Sequence, residues 1–325
     1  MMKALAVAAL LVAALASAFD NKKETRQFQL SAESSDFWKL IDRDAELSPV
    51  ASGFGFTEGP VWDEAGFLYV SDEVQNKIYR VYPNGRKEAF ISLGDPDGNT
   101  YDGKRRLIDC ASVLRAIIQV TPSGQYTILA DRFEGRRFNS PNDVVIGPDG
   151  ALYFTDPTLD LVAGQKQEIP FQGIYRLSET GQVTLLSKDM SQPNGLAFSP
   201  DGKRLYVDDS DRRDIRVFDF NPDATVSNER LFGEEKGAHG VPDGMKVDEA
   251  GNLFIVGPSG IWVWDAQGRH LGTIVMPEQP ANLAWGDGDY QTLFITATAS
   301  VYRIRTKTRG LVPYLKAPIH DRPRV

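Results

Sequence analysis

Val144-Val-Ile-Gly-Pro-Asp-Gly150-Ala-Leu-Tyr-Phe154 is a short apolar strand, a Pro-Asp-Gly turn and a second strand. The unit returns as Val61-Trp62-Asp-Glu-Ala-Gly66-Phe-Leu-Tyr-Val70 and as Leu196-Ala-Phe-Ser-Pro-Asp-Gly202-Lys-Arg-Leu-Tyr-Val207. It returns again as Met245-Lys-Val-Asp-Glu-Ala-Gly251-Asn-Leu-Phe-Ile255. Fainter copies at Thr100–Asp109 and Leu283–Ile295 bring the count to six between about Glu58 and Leu315. The Gly turns supply the positive φ that tight hairpins need. Alternating runs such as Ile78–Tyr82 and Ile174–Leu177 continue each copy into outer strands. Repeats of roughly 40–50 residues made of strands alone indicate a β-propeller, because radial repetition hides the edges and apolar faces a single sheet would expose. No run of about 12 residues or more with helical period interrupts them. The expected fold is all-β, a six-bladed propeller, with five or seven blades as the alternatives.

Composition narrows the function. At 325 residues and 42% hydrophobic, the chain is rich enough in apolar residues to exclude disorder, and a lone Cys110 excludes a disulfide scaffold. A formal net charge of −8 argues against nucleic acid as partner. Three His and one Cys leave little material for a zinc site, so any metal should sit among oxygens. Met1-Met2-Lys3, the apolar run Ala4–Leu15 and Ala16-Ser17-Ala18 read as a signal peptide cleaved before Phe19, and an exported protein with no later membrane span is expected. Residues 19–46 form a polar N-terminal extension, with a short helix around Asp36–Arg43, and the propeller occupies 47–325. The longer excursion Leu159–Gln172 either overhangs the channel mouth or is a loose loop.

A second set of polar residues precedes the first strand of each copy, where no hairpin closes. Glu58 to Gly66, Asn142 to Gly150, Asn194 to Gly202 and Asp243 to Gly251 are each eight residues. Equivalent positions in a radial repeat lie on a ring around the axis, so these four side chains should converge. Aligning the weaker copies puts Asp97 and Ala281 on the same ring. Two carboxylates and two amide oxygens suit a hard cation: calcium first, with its loose shell of six to eight oxygens, and magnesium as a tighter alternative. Asn and Asp beside Pro and Gly also make ordinary turns, so the shared register carries the assignment.

Several stretches are similar to the regucalcin and gluconolactonase family: Thr57-Glu-Gly-Pro-Val-Trp62, Leu129-Ala-Asp-Arg-Phe-Glu-Gly135, Asn139-Ser-Pro-Asn-Asp143, Leu152-Tyr-Phe-Thr-Asp-Pro157, Gln192-Pro-Asn-Gly195 and Val241-Pro-Asp-Gly-Met245. The resemblance, from about Leu47 to Arg305, implies a six-bladed propeller with a divalent cation in its channel, generally calcium, that hydrolyses sugar lactones. It implies the same ligands, Glu58, Asn142, Asn194 and Asp243. One stretch departs. Pro96-Asp97-Gly98-Asn99-Thr100 and Asp109-Cys110-Ala111-Ser112-Val113 stand where bacterial gluconolactonase-like members carry Ala-Asn-Gly-Leu-Thr and Ala-Cys-Glu-His-Gly. Ala111 and Ser112 replace the Glu and His, which implies an altered substrate pocket.

The expected activity is therefore calcium-dependent hydrolysis of a sugar lactone, with Asp243 both ligand and general base. Asp97 and Asn99 are placed to bind sugar hydroxyls, and Asn139, Arg136 and Arg137 flank the third-blade ligand. A metal-dependent phosphoesterase using the same site and a non-catalytic propeller binding a periplasmic ligand or partner are the alternatives, and another divalent cation such as zinc or magnesium is the alternative to calcium. Ser140 and Ser210 lack a Gly-x-Ser-x-Gly setting, which leaves a serine-hydrolase elbow unsupported.

Overall fold

The computed structural model describes residues 26–316; the segment 1–18 expected to be a signal peptide and its expected cleavage point lie outside these residues. The four strands Thr57–Asp63, Phe67–Asp72, Lys77–Val81 and Lys87–Ser92 form the first blade, each antiparallel to the next. Five more antiparallel sheets follow, with innermost strands Pro96–Tyr101, Val144–Ile146, Pro193–Phe198, Met245–Val247 and Pro280–Gly286. Neighbouring innermost strands touch around the axis, and Pro280–Gly286 closes the circle against Thr57–Asp63. The protein is a six-bladed β-propeller, as the repeat count anticipates. No helix among the described residues is long and apolar enough to cross a membrane.

The N-terminal residues complete the circle from outside. Ser48–Ser52 pairs with Ser300–Arg305 as the outermost strand of blade six, so the last blade is stitched from both ends of the chain. Gln29–Ala32 adds a fifth strand to blade five through His270–Val275. The helix expected around Asp36–Arg43 is one turn, Phe37–Leu40, which buries Phe37 and Leu40.

The hairpins explain why some copies read strongly and two read faintly. Gly66, Gly150, Gly202 and Gly251 all carry φ between 68° and 91°, the left-handed region glycine enters freely. In blades two and six the corresponding turns contain Gly103 and Gly288 but give positive φ to Arg105 and to Asp287 and Tyr290, so the glycine is displaced from its expected place although the hairpin forms. Packing between blades is apolar and aromatic, with Tyr153, Phe154, Tyr206, Phe254 and Phe294 fully buried. At the end of the axis away from Glu58, Leu311–Val312 and the turn Pro313–Lys316 close the channel.

Candidate metal centre in the propeller channel

The ring residues sit where the innermost ladders break. Register shifts fall between Glu58 and Val61, Pro96 and Asn99, Pro193 and Leu196, and Pro280 and Asn282. Blades three and five begin their ladders only at Val144 and Met245, after Asn142 and Asp243. A bulge re-aims a side chain that regular pairing would send into the sheet face. Proline at 96, 141, 193, 242 and 280, with no N–H to donate, sits naturally at such a break.

Backbone contacts then run from each ring position to the next. The Gly98 N–H donates to Asn142 O at 2.8 Å, Thr155 Oγ1 donates to Asn194 O at 2.7 Å, and the Gly244 N–H donates to Ala281 O at 2.9 Å. Two steps depend on glycine: a Cβ on Gly59 would lie 1.9 Å from Asp97 O, and one on Gly195 would lie 2.4 Å from Asp243 O.

The side chains are carboxylates and amides, buried except for a half-buried Asp243, and incompletely paired. Glu58 Oε2 accepts the Gly59 N–H at 2.6 Å and Asn282 Nδ2 at 2.9 Å, whereas Oε1 is buried without a partner. Asn194 gives its Nδ2 to Ser210 Oγ at 3.1 Å and leaves Oδ1 buried and unpartnered. Asn142 spends its Nδ2 on Asp97 Oδ2 at 2.7 Å and, more weakly, on Asp160 Oδ2 at 3.5 Å. Asp243 Oδ1 accepts the Gly244 N–H at 3.1 Å. Burial, with the charge of Asp143 adding to it, pushes Glu58 up to about 7. Burial and then Glu58, Asp143 and Asp160 hold Asp243 well above the usual carboxylate range. Asp97 is raised the same way by burial and then by Glu73, Glu58, Asp160 and Asp95.

Among the described residues no three carboxylate, imidazole or thiolate groups form a metal cluster by themselves, so any cation site depends on the Asn oxygens. The donor set fits a hard cation. Two buried oxygens from different blades lack protein partners, and buried orphans of this kind cost about 1–3 kcal/mol each unless something completes them.

Other predicted residues fall elsewhere. Asn99 lies one layer in, its Nδ2 given to Gly59 O, Ser71 Oγ and Asp97 O, and it lines the inner cavity rather than the mouth. Asn139 is fully buried, donating to Asp156 O and Phe171 O and tying down the loop after blade three's second strand. Arg136–Arg137 pairs in a small hairpin with Arg132–Phe133, and Arg137 donates to Leu114 O. The structure brings none of these four to the ring. Ser112 stands beside it, donating to Pro141 O at 2.7 Å with Asp97 Oδ2 at 3.5 Å.

Residues 56–299 match the SMP-30/Gluconolactonase/LRE-like region. The chain belongs to this family. It is 35% identical over 302 residues to a gluconolactonase of Zymomonas mobilis, a match covering 83% of this chain and 84% of that protein. The solved structure of a gluconolactonase from Xanthomonas campestris superposes with a TM-score of 0.80 at 30% identity, covering 85% of this chain and 94% of that one. Regucalcin from Agrobacterium tumefaciens, described as a calcium-binding protein, shares the fold at 20% identity and a TM-score of 0.67, over 80% of this chain and 96% of that one.

The structure also shows what register alone misses. Asp160 reaches Asn142 from the Leu159–Gln172 excursion, which therefore does overhang the mouth, and Glu73 and Asp95 join it there. Burial pushes Asp95 up to about 7 and Asp160 up to about 6, with Asp160 adding to the burial at Asp95. Asp208 faces the Asn194 position from the second strand of blade four, with both oxygens buried and unpartnered. A signal for it exists in the repeat: Ser71, Thr155 and Thr296 occupy its place in three other blades.

Proposed function

We propose that the chain hydrolyses a sugar lactone at the channel mouth, with a calcium ion held by Glu58, Asn142, Asn194 and Asp243. The observation carrying this reading is the pair of buried, unpartnered oxygens, Glu58 Oε1 and Asn194 Oδ1, presented from different blades of one ring. Membership of the family, and the lactonases among its relatives, support the reaction class. A bound calcium ion would supply Lewis acidity, polarising the lactone carbonyl and lowering the pKa of a water.

The chain's own residues do the rest. Asp243 acts as the general base: its carboxylate takes a proton from water as the hydroxyl adds to the carbonyl carbon. The ring C–O bond then breaks, the departing oxygen takes that proton back from Asp243 to become a hydroxyl, and the open-chain acid loses its own proton to solvent to leave the carboxylate. Asp97 and Asp160, held by Asn142, accept hydrogen bonds from sugar hydroxyls. The same acidic mouth repels the anionic product and favours its release.

Turnover of a panel of sugar lactones by the mature chain, with and without chelator, tests the reading. Chelator-sensitive opening of at least one lactone is expected, and no turnover of any lactone in excess calcium overturns it. Residues 1–18 act as a cleaved signal peptide in this reading and the protein is exported; a mass of the natively expressed protein that retains them would refute that part.

A further inference from the structure

Blade six presents Ala281 at its ring position and contributes no donor of its own there. Its next residue, Asn282, is 2% exposed and lies against the backs of two ring members. Asn282 Oδ1 accepts the Leu283 N–H at 2.8 Å and Lys246 Nζ at 3.2 Å, which fixes the amide and turns Nδ2 onto Glu58 Oε2. Lys246 is itself anchored, donating to Met245 O at 2.9 Å. A Cβ on Gly244 would lie 2.1 Å from Asn282 Cγ, so the space Asn282 occupies is created beside Asp243.

These contacts form a directed relay: ammonium to amide oxygen, amide nitrogen to carboxylate. With Oε2 of Glu58 taken by Asn282 and Gly59, only Oε1 is left free.

We propose that Asn282, oriented by Lys246, is the positioning residue that holds Glu58 with Oε1 free for a calcium ion. Blade six thus serves the cation site without ligating it. The inference rests on the calcium reading of the ring. Partners that orient a ligand typically change metal affinity by about 10–100-fold when removed.

Calorimetric calcium affinity of the full mature chain, measured well below its melting temperature with calcium alone, is the test. Asn282→Ala should weaken calcium binding about 10-fold or more. Lys246→Met should weaken it in the same direction, and Lys246→Arg, which keeps charge and donors, should restore most of it. The double variant should be little worse than the larger single effect, because both act through one chain of bonds. Should Asn282→Ala fail to fold, Asn282→Ser carries the same test with a hydroxyl in place of the amide. Unchanged affinity in the folded Asn282 variant overturns the proposal. Tighter binding in Lys246→Met also overturns it, because Lys246 would then act only as a competing charge. A wild-type chain that binds no calcium instead overturns the reading of the ring, and the proposal falls with it.

Discussion

The two ends of the central channel are built from the same six innermost strands and treat polar atoms in opposite ways. At the closed end the cavity, about 50 Å³, is lined by residues such as Trp62, Phe198, Trp285 and Tyr314. Most polar groups there are paired, with Asn99 Oδ1 the exception: Tyr314 Oη donates to Trp62 O at 2.8 Å, Trp285 Nε1 donates to Val247 O at 3.2 Å, and the Leu311 N–H donates to Val247 O at 2.9 Å. At the mouth, Glu58, Asp143, Asn194 and Asp208 each keep at least one buried oxygen without a partner. Buried polar groups are normally satisfied, and unsatisfied ones concentrate where a ligand completes them. The closed end therefore holds the blades together, and the mouth gives up stability to leave buried oxygens open for the proposed cation.

The largest expected effect breaks the mouth without touching the closed end. Asp243→Asn keeps an oxygen ligand of nearly the same shape but cannot take a proton. Turnover at saturating calcium should fall by roughly 10²–10⁴, the usual size of a general-base contribution. Calcium affinity, read by calorimetry, should fall far less. Near-normal turnover would make Asp243 a ligand only, and the base would be sought at Asp143 or Asp97.

Tyr314→Ala probes the other end. It removes a buried ring that packs on Tyr101 and the hydroxyl bond to Trp62, and should cost about 3 kcal/mol in urea unfolding. Turnover of the still-folded variant should stay close to wild type. A variant that loses activity while remaining folded would show that the plug reaches the mouth, and the contrast between the ends would fail.

Glu58→Gln comes next. Calcium at about 100 times its Kd should stabilise the wild-type fold by about 2.7 kcal/mol. Most of that gain should vanish in the variant, because the amide removes a charged ligand. Equal melting curves in calcium and in excess chelator for the wild type would remove the metal assignment altogether.

How much of this could be read from the residues follows the same contrast. The blade count was legible because each hairpin repeats, and even its two faint copies fail only where Arg105 and Tyr290 take the turn's positive φ in place of glycine. The ring was legible because the eight-residue spacing is a local property of a bulge followed by a strand and a turn. Lys246 and Asp160 were not, because one acts across a blade boundary and the other from a loop. Asp208 and Asn282 do stand in the repeat's register, but other residue types hold their places in the other blades, so only the structure gives them a role. Asn139 and Asn99 show the converse: a polar residue beside a ring position in sequence need not stand on the ring, and each spends its amide nitrogen on neighbouring protein oxygens.

The smallest expected effect concerns pH, and its sign separates the two ends again. Burial raises Glu58 from 4.5 to about 7 and Asp95 from 3.8 to about 7. A carboxyl whose folded pKa lies above its unfolded value binds more protons in the folded state across that window. Stability contributed by these groups is therefore present at lower pH and is lost as pH rises through about 7. The metal-free protein should melt a few degrees higher at about pH 5 than at about pH 8, within the usual size of such linkage. Asp289, held down to about 2 by Arg305, works in the opposite sense, but only as pH falls below its ordinary 3.8, outside that window. Calcium competes with protons for the ring, so its stabilising increment should be largest near pH 8 and shrink towards pH 5. Glu58→Gln, which cannot titrate, should flatten the metal-free slope, whereas Tyr314→Ala should lower the whole curve without changing it. Calorimetric melting in chelator and in calcium across this range reads all three. A metal-free melting temperature that climbs from pH 5 to pH 8 would mean that the mouth's carboxylates are already balanced by charges within the protein, and that the two ends differ less than their unpaired oxygens indicate.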